Sequence, residues 1–288
     1  MKKILIIGKN GQLAQELRLT LSSICDVLFL GKNEIDIFNR TAILGICQSF
    51  NPSIVINASA YTEVDKAELN PEEARNLNIN AVENLTTCLN ALNIPLIHYS
   101  TDYVFDGSKT GSYLETDMTN PLNVYGQTKL EGEKIIQSTC SNYLIFRLSW
   151  LYGHYGKNFY KTIVKLLKEK NELKIVNDQI GSPTSAYIVA LATSQIVAQS
   201  VLDTESFFKS KTGVYHLSAS DKCSWADFAK EIAYLKNTQT KIIGISSLEY
   251  NSAAVRPKNS VLSNEKFLKE FGFCLPNWQA QLKIVDFC

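Results

Sequence analysis

Ile4-Leu5-Ile6-Ile7-Gly8-Lys9-Asn10-Gly11-Gln12-Leu13-Ala14 is a short apolar run that stops at a glycine turn and passes directly into a helical pattern. Four consecutive apolar residues read as a strand buried on both faces. Gly8 permits a tight turn, and Gly11 lets backbone amides approach a pyrophosphate with no side chain in the way. The helix N-terminus adds positive potential and free N–H groups. Ala14, where a third glycine is usual, is small enough for close helix–strand packing. A lone Gly-x-x-Gly turn is weak, and many are plain turns; its place at the first strand–helix junction is what points to a dinucleotide. Gly8, Asn10, Gly11, Gln12 and Leu13 are the candidate phosphate-side residues.

Outward from that turn, apolar runs alternate with helical periodicity. Leu13, Leu17 and Leu21 share one helical face over residues 12–21. Residues 27–30 read as a second strand, 41–50 as a helix ended by Pro52, and 53–56 as a third strand. Pro71 opens a long helix through residue 92, with Glu72 and Glu73 at its positive end. Residues 96–99 form a fourth strand; a helix carrying Tyr125 and Lys129 follows, then a fifth strand over 144–148. The alternation predicts an α/β fold of Rossmann type, a doubly wound parallel sheet covered by helices on both faces.

After Trp150 the regularity weakens. Residues 159–170 and 186–201 read as helices and 174–176 as a strand, while 215–217 can return to the sheet. Ser224 can cap a helix through residue 235, with Asp227 completing a capping box. Residues 241–245 and 264–271 finish the chain. The expected organisation is a cofactor-binding domain over 1–150, rejoined by segments around 185–235. A smaller, interleaved α/β substrate-binding lobe draws mainly on 151–288.

The second strand ends Leu30-Gly31-Lys32-Asn33, near where the cofactor's 2′ position should lie. A carboxylate there favours NAD. None is visible, and Lys32 is close, so NADPH is expected, with NADH an alternative. Asp36 and Ile37 lie where a crossover can reach the adenine; Asp36 reads equally as a solvated loop residue.

Bulk properties narrow the class. Across 288 residues the formal net charge is +1, so no basic excess is available to neutralise a nucleic acid. The N-terminus briefly resembles a signal peptide, but its apolar run is too short, and no run approaches a membrane span. Seven cysteines without a Cys-x-x-Cys pair suggest buried reduced thiols, and the three histidines show no zinc spacing. A cytoplasmic protein is the expected reading.

Tyr125 and Lys129, four apart on a helix, present both side chains on one face. An ammonium beside a phenol is expected to lower the phenol's pKa from about 10 toward the range useful for proton transfer. Lys129 can also bond the nicotinamide ribose. Thr101, just past the fourth strand, can donate its hydroxyl to the same carbonyl oxygen, or can simply form a turn within Ser100-Thr101-Asp102.

Three further segments complete a pattern: Asn57-Ala58-Ser59-Ala60-Tyr61-Thr62-Glu63-Val64-Asp65, Ser100-Thr101-Asp102-Tyr103-Val104-Phe105-Asp106-Gly107 and Arg147-Leu148-Ser149-Trp150-Leu151-Tyr152-Gly153. With Asp178-Gln179-Ile180-Gly181-Ser182-Pro183-Thr184, Arg256-Pro257-Lys258-Asn259-Ser260 and Leu275-Pro276-Asn277-Trp278, the chain resembles, end to end, the extended short-chain dehydrogenase/reductases and within them the dTDP-4-dehydrorhamnose reductases. The resemblance implies reduction of dTDP-4-dehydro-β-L-rhamnose to dTDP-L-rhamnose, a precursor of surface polysaccharide. It implies Tyr125 as proton donor, Lys129 as its support and Thr101 as assistant. Gly11, Gln12 and Leu13 would hold the pyrophosphate, Asp36 and Ile37 the adenine. Ala58, Ser59, Ala60 and Tyr99 would line the cofactor groove, and Thr101, Asp102, Tyr103 and Trp150 would meet the sugar. Arg256 is a candidate for the nucleotide diphosphate or for a loop carbonyl. Trp150 can also be a plain core aromatic, and Arg147 reads as a buried cation paired with a carboxylate. Some relatives bind magnesium between subunits through an acidic residue after Gly-x-Pro-Thr. This chain has Glu16 but carries Tyr187 at that place, so a metal-bridged dimer is not expected; a monomer or homodimer is. Two rival functions stay open: a nucleotide-sugar epimerase or dehydratase with retained NAD, in which Asp102 is the acid–base group, and a non-catalytic cofactor-binding regulator.

Overall fold

Ile4, Leu5, Ile6 and Ile7 are all buried, and they alternate between two hydrophobic clusters on opposite faces of one sheet. A strand with no solvated face has to read as an unbroken apolar run. The computed structural model describes residues 1–287. Its first half runs β1 (Lys3–Ile7), α1 (Gln12–Leu21), β2 (Asp26–Leu30), α2 (Arg40–Phe50), β3 (Ile54–Asn57) and α3 (Val64–Leu69). Then come α4 (Pro71–Arg75), a π-helical turn (Asn76–Asn80), α5 (Ala81–Ala91), β4 (Leu96–Thr101), α6 (Val124–Thr139) and β5 (Tyr143–Leu148). The second half runs β6 (Leu151–Tyr152), α7 (Phe159–Glu169), β7 (Glu172–Val176), β8 (Ile180–Gly181), β9 (Thr184–Ser185), α8 (Ala186–Gln199), α9 (Thr204–Lys211) and β10 (Gly213–His216). It ends with β11 (Cys223–Ser224), α10 (Trp225–Leu235), β12 (Lys241–Ile245), α11 (Ser247–Tyr250), α12 (Glu265–Phe271) and α13 (Trp278–Phe287).

Six parallel strands form the main sheet in the order β10-β5-β4-β3-β1-β2. This is the doubly wound α/β arrangement, reversing direction between β1 and β3. Helices α1, α8 and α12 cover one face through Leu13, Leu17, Val189, Ile196 and Phe267. The other face carries Ile43, Leu85, Leu89 and Ile136 from α2, α5 and α6. Strand β10 returns the chain to the sheet beside β5, and α8 lies in the main cluster, whereas α10 does not. Phe228, Ala229 and Ile232 of α10 pack with Tyr160, Ile163, Leu173, Trp278 and Leu282 in a separate cluster. Ser224 caps α10 with the reciprocal Asp227 box.

The single helix expected over 71–92 is instead helical rod with a π turn at its middle. That turn aims Asn78 inward, where its side chain bonds the Tyr61 backbone at 2.9 and 3.2 Å and Thr128 Oγ1 at 3.0 Å. Gly132 of α6 passes so close that a Cβ would sit 2.4 Å from Asn78 O. Val64–Leu69, Thr204–Lys211, Ser247–Tyr250 and the C-terminal helix Trp278–Phe287 are elements that periodicity did not single out.

Helix α6 is also tied to the sheet by charge. Arg147 of β5 donates to Glu133 from Nε at 3.0 Å and from Nη2 at 2.7 Å, with both side chains at most 5% exposed. Cys25, Cys47, Cys88, Cys140 and Cys223 are buried free thiols and Cys274 is an exposed one; Cys288 lies outside the described residues. No single helix among the described residues is long and apolar enough to cross a membrane.

Removing one member of the Arg147–Glu133 pair leaves a charge in the core. Arg147→Leu is expected to cost about 3–5 kcal/mol in urea unfolding, and the double variant Arg147→Leu/Glu133→Leu to recover much of that loss. A single variant as stable as the parent would show that the pair does not hold α6.

Candidate active site

The C-terminal edge of the sheet opens into a cavity of about 450 Å³. Gly11, Gln12 and Leu13 line one end of it. Gly11 caps α1 with no side-chain bond, so the first-turn amides of that helix are available to an anion. Ala58, Ser59 and Ala60, leaving β3, continue the wall. A nicotinamide dinucleotide fits this donor set: uncapped amides for its pyrophosphate, then a groove of small residues.

Thr101, Tyr125 and Lys129 converge farther along, Thr101 and Lys129 buried, Tyr125 half-buried, and all three lining the cavity. Asn123 caps α6 by accepting from Gly126 N–H at 2.8 Å, which fixes where the helix starts and so where Tyr125 sits. The Tyr125 ring packs edge-to-face on Tyr103 at 5.9 Å. Burial pushes the Tyr125 phenol up to about 12; the Thr101 hydroxyl pulls the other way, and the Asp102 charge adds a smaller push upward. The expected lowering by Lys129 is therefore corrected. Lys129 Nζ donates to the Tyr99 carbonyl at 2.7 Å and faces His98 Nε2 at 3.2 Å. Burial draws Lys129 down to about 8.

Asp102 is 2% exposed beside this trio. It accepts from Thr101 Oγ1 at 3.1 Å and from Ser149 Oγ at 2.9 Å, and the Ser260 hydroxyl also favours its charged form. Burial raises its carboxyl to about 6 despite those donors.

The opposite wall is aromatic. Trp150 adopts φ +46° and stacks on Trp225 with ring centroids 3.5 Å apart and planes within 5°. Gly181 is required beneath it, since a Cβ there would sit 2.3 Å from the indole. Phe159 extends the wall at 4.6 Å from Trp225. Arg256 lines the same cavity and is clamped by Asp65, with Nη2–Oδ2 at 2.6 Å and Nη1–Oδ1 at 3.1 Å.

Most of the sequence-chosen residues thus meet in one cavity. Gly8, Asn10, Lys32, Asp36 and Ile37 do not line it. Asn10 and Lys32 are exposed; Asp36 accepts from Phe38 N–H at 2.9 Å, and Ile37 packs on the sheet's second cluster. Tyr99 contributes its backbone carbonyl to Lys129, while its hydroxyl bonds Thr193 at 2.8 Å. The expectation of no carboxylate at the end of β2 is also corrected. Glu34 folds back so that Oε2 accepts from Gly31 N–H at 2.9 Å and Oε1 pairs with Lys9 at 2.5 Å. His98, Asn57, Ser149, Ser260 and Trp225 were not singled out, because their roles come from partners 30 or more positions away, as His98–Lys129, Ser149–Asp102 and Trp150–Trp225 illustrate. Glu16 is 3% exposed with one carboxylate oxygen unpartnered. No group of three or more His, Cys, Asp or Glu side chains able to hold a metal occurs among the described residues. Among the described residues of this chain the donor set does not fit a metal centre.

Comparison with known proteins places these features in context. A family model described as "RmlD substrate binding domain" matches residues 1–285. A dTDP-4-dehydrorhamnose reductase of Escherichia coli K12 is 39% identical over 290 positions, covering 97% of this chain and 95% of that protein. The crystal structure of a dTDP-4-dehydrorhamnose reductase from Bacillus anthracis in complex with NADP has TM-score 0.90 and 34% identity, covering 100% of this chain and 99% of that one. A UDP-glucose 4-epimerase has TM-score 0.78 at 17% identity over 99% of this chain and 95% of that one, a likeness of fold alone.

Asp102 holds its proton more tightly folded than unfolded. Its contribution to stability is full below the unfolded value of about 4 and is lost as the pH rises through about 6. Melting temperatures of Asp102→Asn, measured against the parent, should therefore gain on it steadily across that window. A constant or opposite difference would show that the Asp102 carboxyl is not raised.

Proposed function

The chain belongs to the dTDP-4-dehydrorhamnose reductase family, and on that premise we propose that it reduces the C4 ketone of dTDP-4-dehydro-β-L-rhamnose with a nicotinamide cofactor, giving dTDP-L-rhamnose. The observation that carries this reading is the meeting of Thr101, Tyr125 and Lys129 at one cavity wall, between the uncapped start of α1 and the Trp150–Trp225 stack. The sheet, with α1 and α8, is proposed as the cofactor lobe, and the cluster around α7, α10 and α13 as support for the nucleotide sugar.

A reduced nicotinamide, when bound, supplies the hydride to C4. Tyr125 then gives its proton to the ketone oxygen as that oxygen becomes an alkoxide. A phenol held at about 12 keeps this proton until the far more basic alkoxide forms. Thr101 can donate to the same oxygen by turning its hydrogen from Asp102, whose charge Ser149 and Ser260 continue to hold. Lys129 is fixed one helical turn from Tyr125, where it can meet the cofactor's ribose. Trp150 and Trp225 offer a flat apolar face to the deoxysugar, and Arg256 offers charge to the diphosphate.

NADPH is proposed as the preferred donor, with Lys9 and Lys32 near the 2′ position. Glu34 opposes that preference by occupying Lys9. Glu34→Gln should tighten NADPH binding while leaving NADH binding nearly unchanged, as measured by nucleotide fluorescence titration. Equal effects on both cofactors would place the Lys9–Glu34 pair away from the 2′ position.

Tyr125→Phe is expected to lower turnover by about 10²–10⁴-fold while NADPH binding persists, followed as NADPH absorbance lost on adding dTDP-4-dehydrorhamnose. Near-normal turnover would remove Tyr125 as the acid. Stoichiometric NAD retained through purification, without net NADPH consumption, would replace the reductase reading with the epimerase or dehydratase one.

A further inference from the structure

Asp65 and Glu68 stand one turn apart on α3, and the reduction itself does not use them. Glu68 Oε1 accepts from the N–H of Val124, the first residue of α6, at 2.7 Å. Asp65 Oδ1 accepts from Ala254 N–H at 3.0 Å, and the Asp65 carboxylate also holds both Nη atoms of Arg256. One short helix thus keeps the start of α6 and the segment 254–256 side by side. Asn123 ties those two segments to each other. Its Oδ1 accepts from Gly126 N–H at 2.8 Å, and its Nδ2 donates to the Val255 carbonyl at 2.8 Å. A backbone N–H can only donate and a carbonyl can only accept, so the two bonds fix the amide orientation. Ser185, Asp203, Ser224 and Ser246 cap other helices with a hydroxyl or a carboxylate, since a cap needs an acceptor alone. Asn123, buried between two segments, meets a carbonyl as well. Asparagine is the favoured cap residue that carries an acceptor and a donor on separate atoms.

We infer that Asn123 is a positioning residue that fixes the spacing between Arg256 and Tyr125, and with it the span from the diphosphate to the sugar ketone. Tyr125 lies two residues after Asn123 on α6, and Arg256 directly follows Val255. Neither bond of Asn123 involves the phenol or the guanidinium, and its side chain does not line the cavity, so it acts through the two segments. The α6 side of the tie has no room to shift. Gly126 packs so closely that a Cβ would sit 2.2 Å from Tyr103 O. On the other side Arg256 is held ready for an anion. Its Nη1 donates to Asp65 Oδ1 at 3.1 Å and to Ala254 O at 3.3 Å, and its Nη2 donates to Asp65 Oδ2 at 2.6 Å. Its Nε makes no bond among the described residues. Nε–H and the second Nη2 hydrogen point the same way, a fork that matches two oxygens of a diphosphate. Asp65 therefore sets the direction in which that fork faces, and Asn123 sets its distance from the acid. The role rests on the proposed reduction only for the use made of that span.

Asn123→Ser keeps a helix cap and removes the tie to Val255. In the free full-length protein, amide hydrogen exchange read by mass spectrometry should quicken about three- to tenfold over residues 253–257 and stay unchanged over 124–130. With dTDP-4-dehydrorhamnose and NADPH, KM for the nucleotide sugar should rise about three- to tenfold, while kcat falls by less than about twofold and KM for NADPH holds. In an Arg256→Ala background the same substitution should leave KM for the nucleotide sugar unmoved, because the tie then has nothing to position. Exchange as slow as the parent's over 253–257 overturns the assignment, with or without turnover. So does faster exchange with an unmoved KM, and so does a KM rise that persists without Arg256, which marks a merely structural cap. If the serine variant does not fold, Asn123→Thr caps the helix in the same way and is read by the same criteria. A parent that fails to reduce dTDP-4-dehydrorhamnose removes the reductase reading, and the exchange measurement then decides the role of Asn123 by itself.

Discussion

The position of α6 against the sheet is the constraint on which the site depends, and buried charge sets it. A helix docked by apolar contacts alone can slide by part of a turn at small cost. Glu133 cannot, because its carboxylate is nearly fully buried and meets Arg147 through two nitrogens. Breaking that geometry strands two ions in low dielectric, a penalty steeper than the net gain from forming the pair. Lys129, one turn earlier, is fixed by the Tyr99 carbonyl and His98. Gly132, closing on Asn78, removes the remaining freedom. Tyr125, one turn earlier again, is thereby aimed over the sheet edge by contacts that do not involve its own hydroxyl.

The far wall of the cavity is held by a different kind of constraint. Trp150 sits in the left-handed backbone region, where a bulky residue is strained. The indole is sandwiched between Trp225 and the bare backbone of Gly181, with Phe159 closing the edge. Trp225 and Phe159 open helices whose other turns pack in the second cluster, through Phe228, Ile232, Ile163 and Leu167. The second cluster therefore reaches the cavity through a stack of rings, and the strained backbone at Trp150 is the point where sheet and second cluster join.

The fold was legible because parallel strands covered on both faces read as nearly continuous apolar runs; residues 4–7 are such a run, and 96–99 and 144–148 depart from it only at His98 and Arg147. The Tyr125–Lys129 spacing was legible because four residues make one helical turn. What was not legible depends on pairing across the chain. Glu34 reaches back to Lys9, and Asp65, which by sequence alone belongs to a solvated or helix-capping cluster, pairs with Arg256. The π turn at 76–80 is invisible to periodicity, because Asn78 is inward only where the helix gains an extra residue. The C-terminal helix was missed because its apolar residues face a cluster assembled from several distant segments.

Two carboxyl or phenol groups and one amine share this cavity, and burial moves each toward its neutral form. A site of this kind suits an acid that must not lose its proton early. Before hydride arrives the ketone oxygen is a weak base, and a phenolate in its place would donate nothing. An ammonium beside Tyr125 would favour that phenolate, whereas the ionised Asp102 disfavours it. The proton on Tyr125 is thus held by burial and by the neighbouring carboxylate, and the alkoxide formed at C4 is the group basic enough to take it.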